Sequence, residues 1–171
     1  LRLSIGVGYL STSDSALGIS RKIHGVGVGM NLALGAAVTR NLIIFGELAA
    51  TSAEQPTVDF PGESQTATST SLNLMGFGPG IAYYLDPLNL YFSGALTFTQ
   101  VTVNDDDSSE SANLTDMGVG GSFLVGKEWW VSTNWGLGVA GMLRLASMKV
   151  QDSDARMTAT AFSILFSATY N

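Results

Sequence analysis

Few residues in this 171-residue chain can act as acid, base or ligand. His24 is the single histidine, so any step using imidazole must run through it. No serine and carboxylate are marked by spacing as its partners, and a polar residue at the rim of an element is the simpler reading. Asp105, Asp106 and Asp107, with Glu110 close behind, offer clustered oxygen ligands for a hard cation such as Ca²⁺. The spacing of an EF-hand loop is missing, so they stand as weak metal candidates in a solvated acidic loop. Gly121-Ser122-Phe123-Leu124-Val125-Gly126-Lys127 matches most of a phosphate-binding loop. Glu128 follows, where Ser or Thr should hold magnesium, and the segment alternates like a strand with no helix to aim amides at a phosphate. The glycines from Gly25 to Gly29 fail as a dinucleotide fingerprint for the same reason. No catalytic residue and no cofactor is expected from these patterns.

Composition narrows the class further. The chain is 46% hydrophobic before its 20 glycines are counted and 13% charged, about half the charge usual for soluble domains. It has no Cys, which removes disulfide scaffolds and thiolate metal sites, and a net charge of -6, which argues against nucleic acid. Glycine, serine, threonine or asparagine interrupts every apolar run before about 18 residues, so no transmembrane helix is encoded. No signal-type segment precedes Leu1, as expected of a mature or trimmed exported chain. The length suits one domain, 1–171.

Any interior chemistry must be positioned by strands, because the hydrophobic period is two. Val26, Val28, Met30, Leu32 and Leu34 alternate with Gly25, Gly27, Gly29, Asn31 and Ala33. Leu90, Phe92, Leu96 and Phe98 alternate with Tyr91, Ser93, Ala95 and Thr97, and similar patterns follow around Val139 and Ile164. The full reading gives eight strands, near 2–10, 23–38, 42–51, 70–85, 89–103, 113–130, 134–149 and 157–170. Leu72 and Leu74 fall out of step with Met75, Phe77 and Ile81, which predicts a β-bulge between Leu74 and Phe77. The connections around 39–41, 86–88 and 132–134 are tight, whereas 11–22, 52–69, 104–112 and 150–156 are long, polar and mostly acidic. An antiparallel meander therefore has a turn end and a loop end. Tyr83, Tyr84, Tyr91, Trp129, Trp130, Trp135 and Tyr170 all fall near the turn end, where they would form an aromatic girdle at a membrane interface.

A sheet in lipid must close, because each unsatisfied edge group costs several kcal/mol there. Eight strands can close, and the two faces say which way. The large-residue face is almost uncharged, while Glu47, Asp116 and Arg144 fall on the small polar face. The expected fold is all-β: an eight-stranded antiparallel up-and-down transmembrane β-barrel.

These alternating segments resemble the small outer-membrane β-barrels of the OmpA/OmpX and OmpW-like type, as do the tight turns, the segment Gly76-Phe77-Gly78-Pro79-Gly80-Ile81-Ala82-Tyr83-Tyr84 and the final strand Phe162 to Tyr170. Such families usually end on an aromatic; here Asn171 follows Tyr170. The resemblance implies a Gram-negative outer membrane, short turns in the periplasm and long loops outside. It also implies contact with outer-membrane lipid and lipopolysaccharide. Some barrels of this size edit lipid A with a rim histidine, which keeps a lipid-modifying enzyme using His24 as a remote alternative. The leading expectation is a structural or interaction role, with a protein partner met through the acidic loops. The competing one is a narrow conduit for small solutes or slim hydrophobic ligands, since the inward residues are small. Within the lumen, Arg144 is expected to reach Glu47 as an ion pair or shared polar network, with Asp116 a second partner near the loop rim. An unpaired charge in a narrow lumen is costly to desolvate.

Overall fold

The computed structural model describes residues 1–16, 19–60, 63–66, 70–105, 110–151 and 153–170. Eight long strands form the wall: β1 (Arg2–Ala16), β2 (Ile19–Ala37), β3 (Leu42–Glu54), β6 (Thr70–Leu85), β7 (Leu90–Asp105), β9 (Gly118–Trp130), β10 (Trp135–Lys149) and β11 (Arg156–Tyr170). Three short ones, β4 (Thr57–Phe60), β5 (Glu63–Thr66) and β8 (Glu110–Asn113), lie in the connections at the loop end. Each long strand pairs antiparallel with its neighbour in the chain, and β1 pairs with both β2 and β11. The sheet thus closes on itself and leaves the wall no open edge.

Alternation sets the two faces. Val7, Leu34, Leu96, Phe123, Ile164 and Phe166 point outward and are more than half exposed. Leu10, Asn31, Ala49, Ser122, Met142 and Leu165 point inward and are buried. An outer wall this apolar is far larger than a soluble monomer tolerates and is stable against hydrocarbon. The turns at 38–41, 86–89 and 131–134 are tight. Asn89, at φ 52°, takes the left-handed conformation that asparagine tolerates.

The structure departs from the sequence pattern in four places. Segment 11–22 is not a loop: β1 and β2 keep their register as far as Ala16 and Ile19. Its polar residues, such as Ser11, Thr12 and Ser13, give no alternation of large apolar groups that would mark a strand. Segment 52–69 carries the β4–β5 hairpin, which pairs back onto β2 through Lys22, Ile23 and His24. The strand expected over 113–130 is split: β8 ends at Asn113 and β9 begins at Gly118, with an isolated bridge from Thr115 to Val150 between them. There is no bulge between Leu74 and Phe77, because β3 and β6 pair without interruption from Thr51–Leu74 to Leu48–Phe77. Leu72 and Leu74 are in phase and simply point inward. The β6–β7 register instead skips Gly78 and Pro79, where proline supplies no N–H to the ladder.

Candidate functional site: the barrel interior and its two ends

The lumen is filled in three tiers. At the loop end, Leu10, Leu72, Leu74, Val101, Met148 and Met157 form an apolar plug, all at most 1% exposed. They come from five strands and meet because each sits at an inward position above the membrane's middle. Burying one such side chain is worth about 1.5–3 kcal/mol. Thr115 ties the split wall to this tier, accepting from Val101 N–H (3.0 Å) while its carbonyl accepts from Gln100 Nε2 (3.1 Å).

Below the plug lies a polar tier. Glu47 on β3 accepts from Asn31 Nδ2 at 2.9 Å and from Ser122 Oγ. Arg144 on β10 is 1% exposed, the largest fully buried side chain. It does not reach down to Glu47. Its Nη1 crosses the lumen to the Leu74 carbonyl at 2.8 Å and Thr51 Oγ1 at 3.4 Å, and no ion pair joins the two charges among the described residues. Ser122, the cross-strand neighbour of Arg144, is a donor to Glu47. Asp116 belongs to neither group: it is exposed at the rim, beyond the end of β8, and its N–H donates to Lys149 O at 2.9 Å.

The turn-end tier was not legible from the sequence. Glu128 on β9, fully buried, accepts from Thr169 Oγ1 (2.7 Å) and from Tyr84 OH (3.3 Å). Arg2 on β1 is 5% exposed, its guanidinium carbon 4.6 Å from the Tyr91 ring centroid and 6.0 Å from that of Phe45. Tyr84 and Tyr91 stack at 5.4 Å inside the barrel, so neither belongs to the outer girdle. Both occupy inward positions, opposite in phase to Tyr83 and Phe92. Tyr83, Trp129, Trp135 and Tyr170 do face outward at the turn end, with Trp135 and Tyr170 packed edge to face at 5.2 Å, whereas Trp130 has the inward phase of Glu128, lies over Gly136 at the mouth of the bore and is not part of the outer girdle.

Inward glycines make room for these large groups. A Cβ at Gly126 would lie 2.5 Å from the Tyr91 ring, one at Gly80 2.5 Å from Phe45, and one at Gly76 2.8 Å from Arg144 Nη2. The inward set that looks small along each strand is therefore matched across strands, and the lumen is not underfilled. In the strand that resembles a phosphate loop, Gly126 is the seat of Tyr91, while Lys127 Nζ donates to Leu88 O at 2.7 Å.

At the loop rim, His24 Nδ1 lies 3.5 Å from Asp59 on β4, at ion-pair distance but outside hydrogen-bond geometry. Ser64 Oγ donates to the other oxygen of Asp59 at 2.7 Å. The serine thus binds the carboxylate and not the imidazole, which is the wrong order for a histidine-activated nucleophile. Asp106 and Asp107 lie outside the described residues, as do the side chains of Asp105 and Glu110.

A closed eight-stranded barrel with an apolar outer wall, a one-ended aromatic girdle and a filled lumen is a transmembrane barrel of the outer-membrane class. Residues 1–169 match the family model of the outer membrane protein beta-barrel domain, and the chain belongs to that family. It is similar to Neisserial surface protein A (NspA), at 14% identity over 99% of this chain and 97% of that one, with a TM-score of 0.59. It is also similar to the outer membrane protein OprG from Pseudomonas aeruginosa, at 12% identity over 99% and 96% of the two chains, with a TM-score of 0.53. These likenesses show the fold. No curated protein sequence matches this one.

Proposed function

We propose that this protein is a closed, non-conducting outer-membrane barrel with a structural or interaction role, its turn end in the periplasm and its loop end outside the cell. The observation that carries this reading is the apolar plug above Arg144. A solute crossing the barrel would have to displace six buried side chains and then pass an arginine held across the lumen. Eight strands enclose an interior that side chains can fill, and here they do.

The interaction surface is the loop end. Eleven of the 14 Asp and Glu residues fall in segments 11–22, 52–69, 104–116 and 150–156, against three of the 8 Lys and Arg. Such a field favours a partner protein with a basic surface and speeds its encounter at low salt. The order Ser64–Asp59–His24 supports a role other than nucleophilic catalysis. Planar-bilayer recordings test the reading: the wild-type protein should give no unitary steps. A variant with Leu10, Met148 and Met157 all replaced by Gly should give them. Steps from the wild type would favour the conduit instead.

A further inference from the structure

Charged side chains on the outward positions of the long strands gather at the loop end, where Glu54, Lys149 and Arg156 stand. Lys127 is the exception among the described residues. It faces outward near the turn end of β9, opposite Leu90 on β7 and Val139 on β10. Its Nζ donates to Leu88 O at 2.7 Å and lies 5.8 Å from the Trp129 ring centroid, so the stem runs along the wall and the ammonium is drawn toward the aromatic girdle. No carboxylate lies within ion-pair distance of it among the described residues. An ammonium has three N–H donors, and the Leu88 carbonyl takes one.

From this ammonium toward the membrane's middle the wall is hollow. Gly141 faces outward between its cross-strand partners, Val125 on β9 and Ile164 on β11. A Cβ there would meet nothing nearer than Phe162 at 3.9 Å. The missing side chain leaves an open groove of about 340 Å³ whose walls include Leu90, Val125, Lys127, Val139 and Ile164. We propose that this groove seats an acyl chain of an anionic glycerophospholipid from the turn-end leaflet, with the lipid phosphate on the Lys127 ammonium.

Head and tail are selected by different parts of the wall. Trp129, Trp135 and Tyr170 set the level of the membrane interface, where lipid phosphates lie, and Lys127 offers its remaining donors there. The β-branched Val125, Val139 and Ile164 are stiff, so the trough keeps its shape, and a flexible chain restores the dispersion contacts that Gly141 leaves unmade. A second hollow, of about 440 Å³, lies over Gly94 beside Ile81 and Phe123, but no charged residue lines it. It lacks an anchor for a headgroup. A second copy of the chain would fit the Gly141 groove poorly, because the outward positions of the long strands carry no carboxylate at this level to meet Lys127.

The test uses the full chain refolded in phosphatidylcholine nanodiscs, doped with phosphatidylglycerol or phosphatidylcholine that carries a nitroxide on one acyl chain. Methyl NMR reads how strongly each labelled lipid relaxes named side chains. At Val139 and Ile164 the anionic lipid should be favoured by about fivefold, the scale of one basic side chain at an anionic headgroup. Leu32 and Leu48, outward on β2 and β3 away from the groove, should respond equally to both lipids. Lys127→Met keeps the stem and should remove the preference, whereas Lys127→Arg should retain it. Gly141→Leu fills a space that is open on the lipid side and leaves the ammonium in place; it should bring the response of Ile164 to the anionic lipid down to that of Leu48. Equal responses to the two lipids at Val139 and Ile164, an anionic preference shared by Leu32 and Leu48, a preference that survives Lys127→Met, or an unchanged response in Gly141→Leu would each overturn the assignment.

Discussion

The two ends of the lumen are filled by opposite means. At the loop end, leucine, methionine and valine from five strands pack into a plug that excludes water by shape. At the turn end, Arg2, Glu128 and two stacked tyrosines fill the same bore with polar groups, and the space between them opens to the outside. Antiparallel strands wall the bore at both ends, so the difference in filling lies in which side chains occupy the inward positions. One bore can thus be a packed core at one end and a polar recess at the other.

If this contrast is right, losing packing should cost most at the loop end. Leu72→Ala, which opens a cavity in the plug, should destabilise the barrel by about 2–5 kcal/mol. Urea unfolding in lipid vesicles measures it, and a loss under 1 kcal/mol would mean that the plug is not a packed core.

The outer wall supplies the next largest effect. Leu96→Arg, at an outward position 76% exposed, should cost about 2–4 kcal/mol in the same assay. Spin labels at Val139, Leu96 and Ile164 should be reached by oxygen dissolved in lipid and shielded from a polar quencher; the reverse would invert the faces.

Charge should matter at the turn end in a way that shape does not. Glu128→Gln keeps the volume but turns an amide donor toward one of two hydroxyl donors, Tyr84 or Thr169. The expected cost is about 1–3 kcal/mol. A value above that of Leu72→Ala would reverse the contrast. Tyr91→Phe sharpens it from below. The Tyr91 hydroxyl has no hydrogen-bond partner among the described residues, so its removal should change stability by less than about 0.5 kcal/mol while keeping the ring over Gly126 and under Arg2.

Much of the wall was legible because alternation is local. Val26 to Leu34 and Leu90 to Phe98 announce their outward face residue by residue, and the turn formers of 39–41 and 86–88 mark tight turns. What fills the lumen was less so, because it depends on which inward residue meets which across the barrel. Tyr91 fits because Gly126 lies beside it on β9, and Phe45 fits because Gly80 lies beside it on β6. Neither match can be read before register is known. Arg2, one residue from the beginning of the sequence, carries no pattern that marks it as buried. Glu128 stands beside Trp129, an outward residue of the girdle, and only its parity points it inward. Arg144 was recognised as an inward charge, but its partner was not, since a backbone carbonyl such as that of Leu74 leaves no trace in the sequence.

The claim that the bore is sealed at one end and open at the other is tested most directly by labelling from each side. The chain has no cysteine, so a single one reports without interference. Thr169→Cys lines the turn-end recess, and Ala159→Cys lies in the plug. In oriented vesicles, a small membrane-impermeant thiol reagent should modify Thr169→Cys from the turn side and not from the loop side, and should leave Ala159→Cys unmodified from both. Labelling of Thr169→Cys from the loop side at a comparable rate would show a continuous path through the barrel and contradict a sealed lumen.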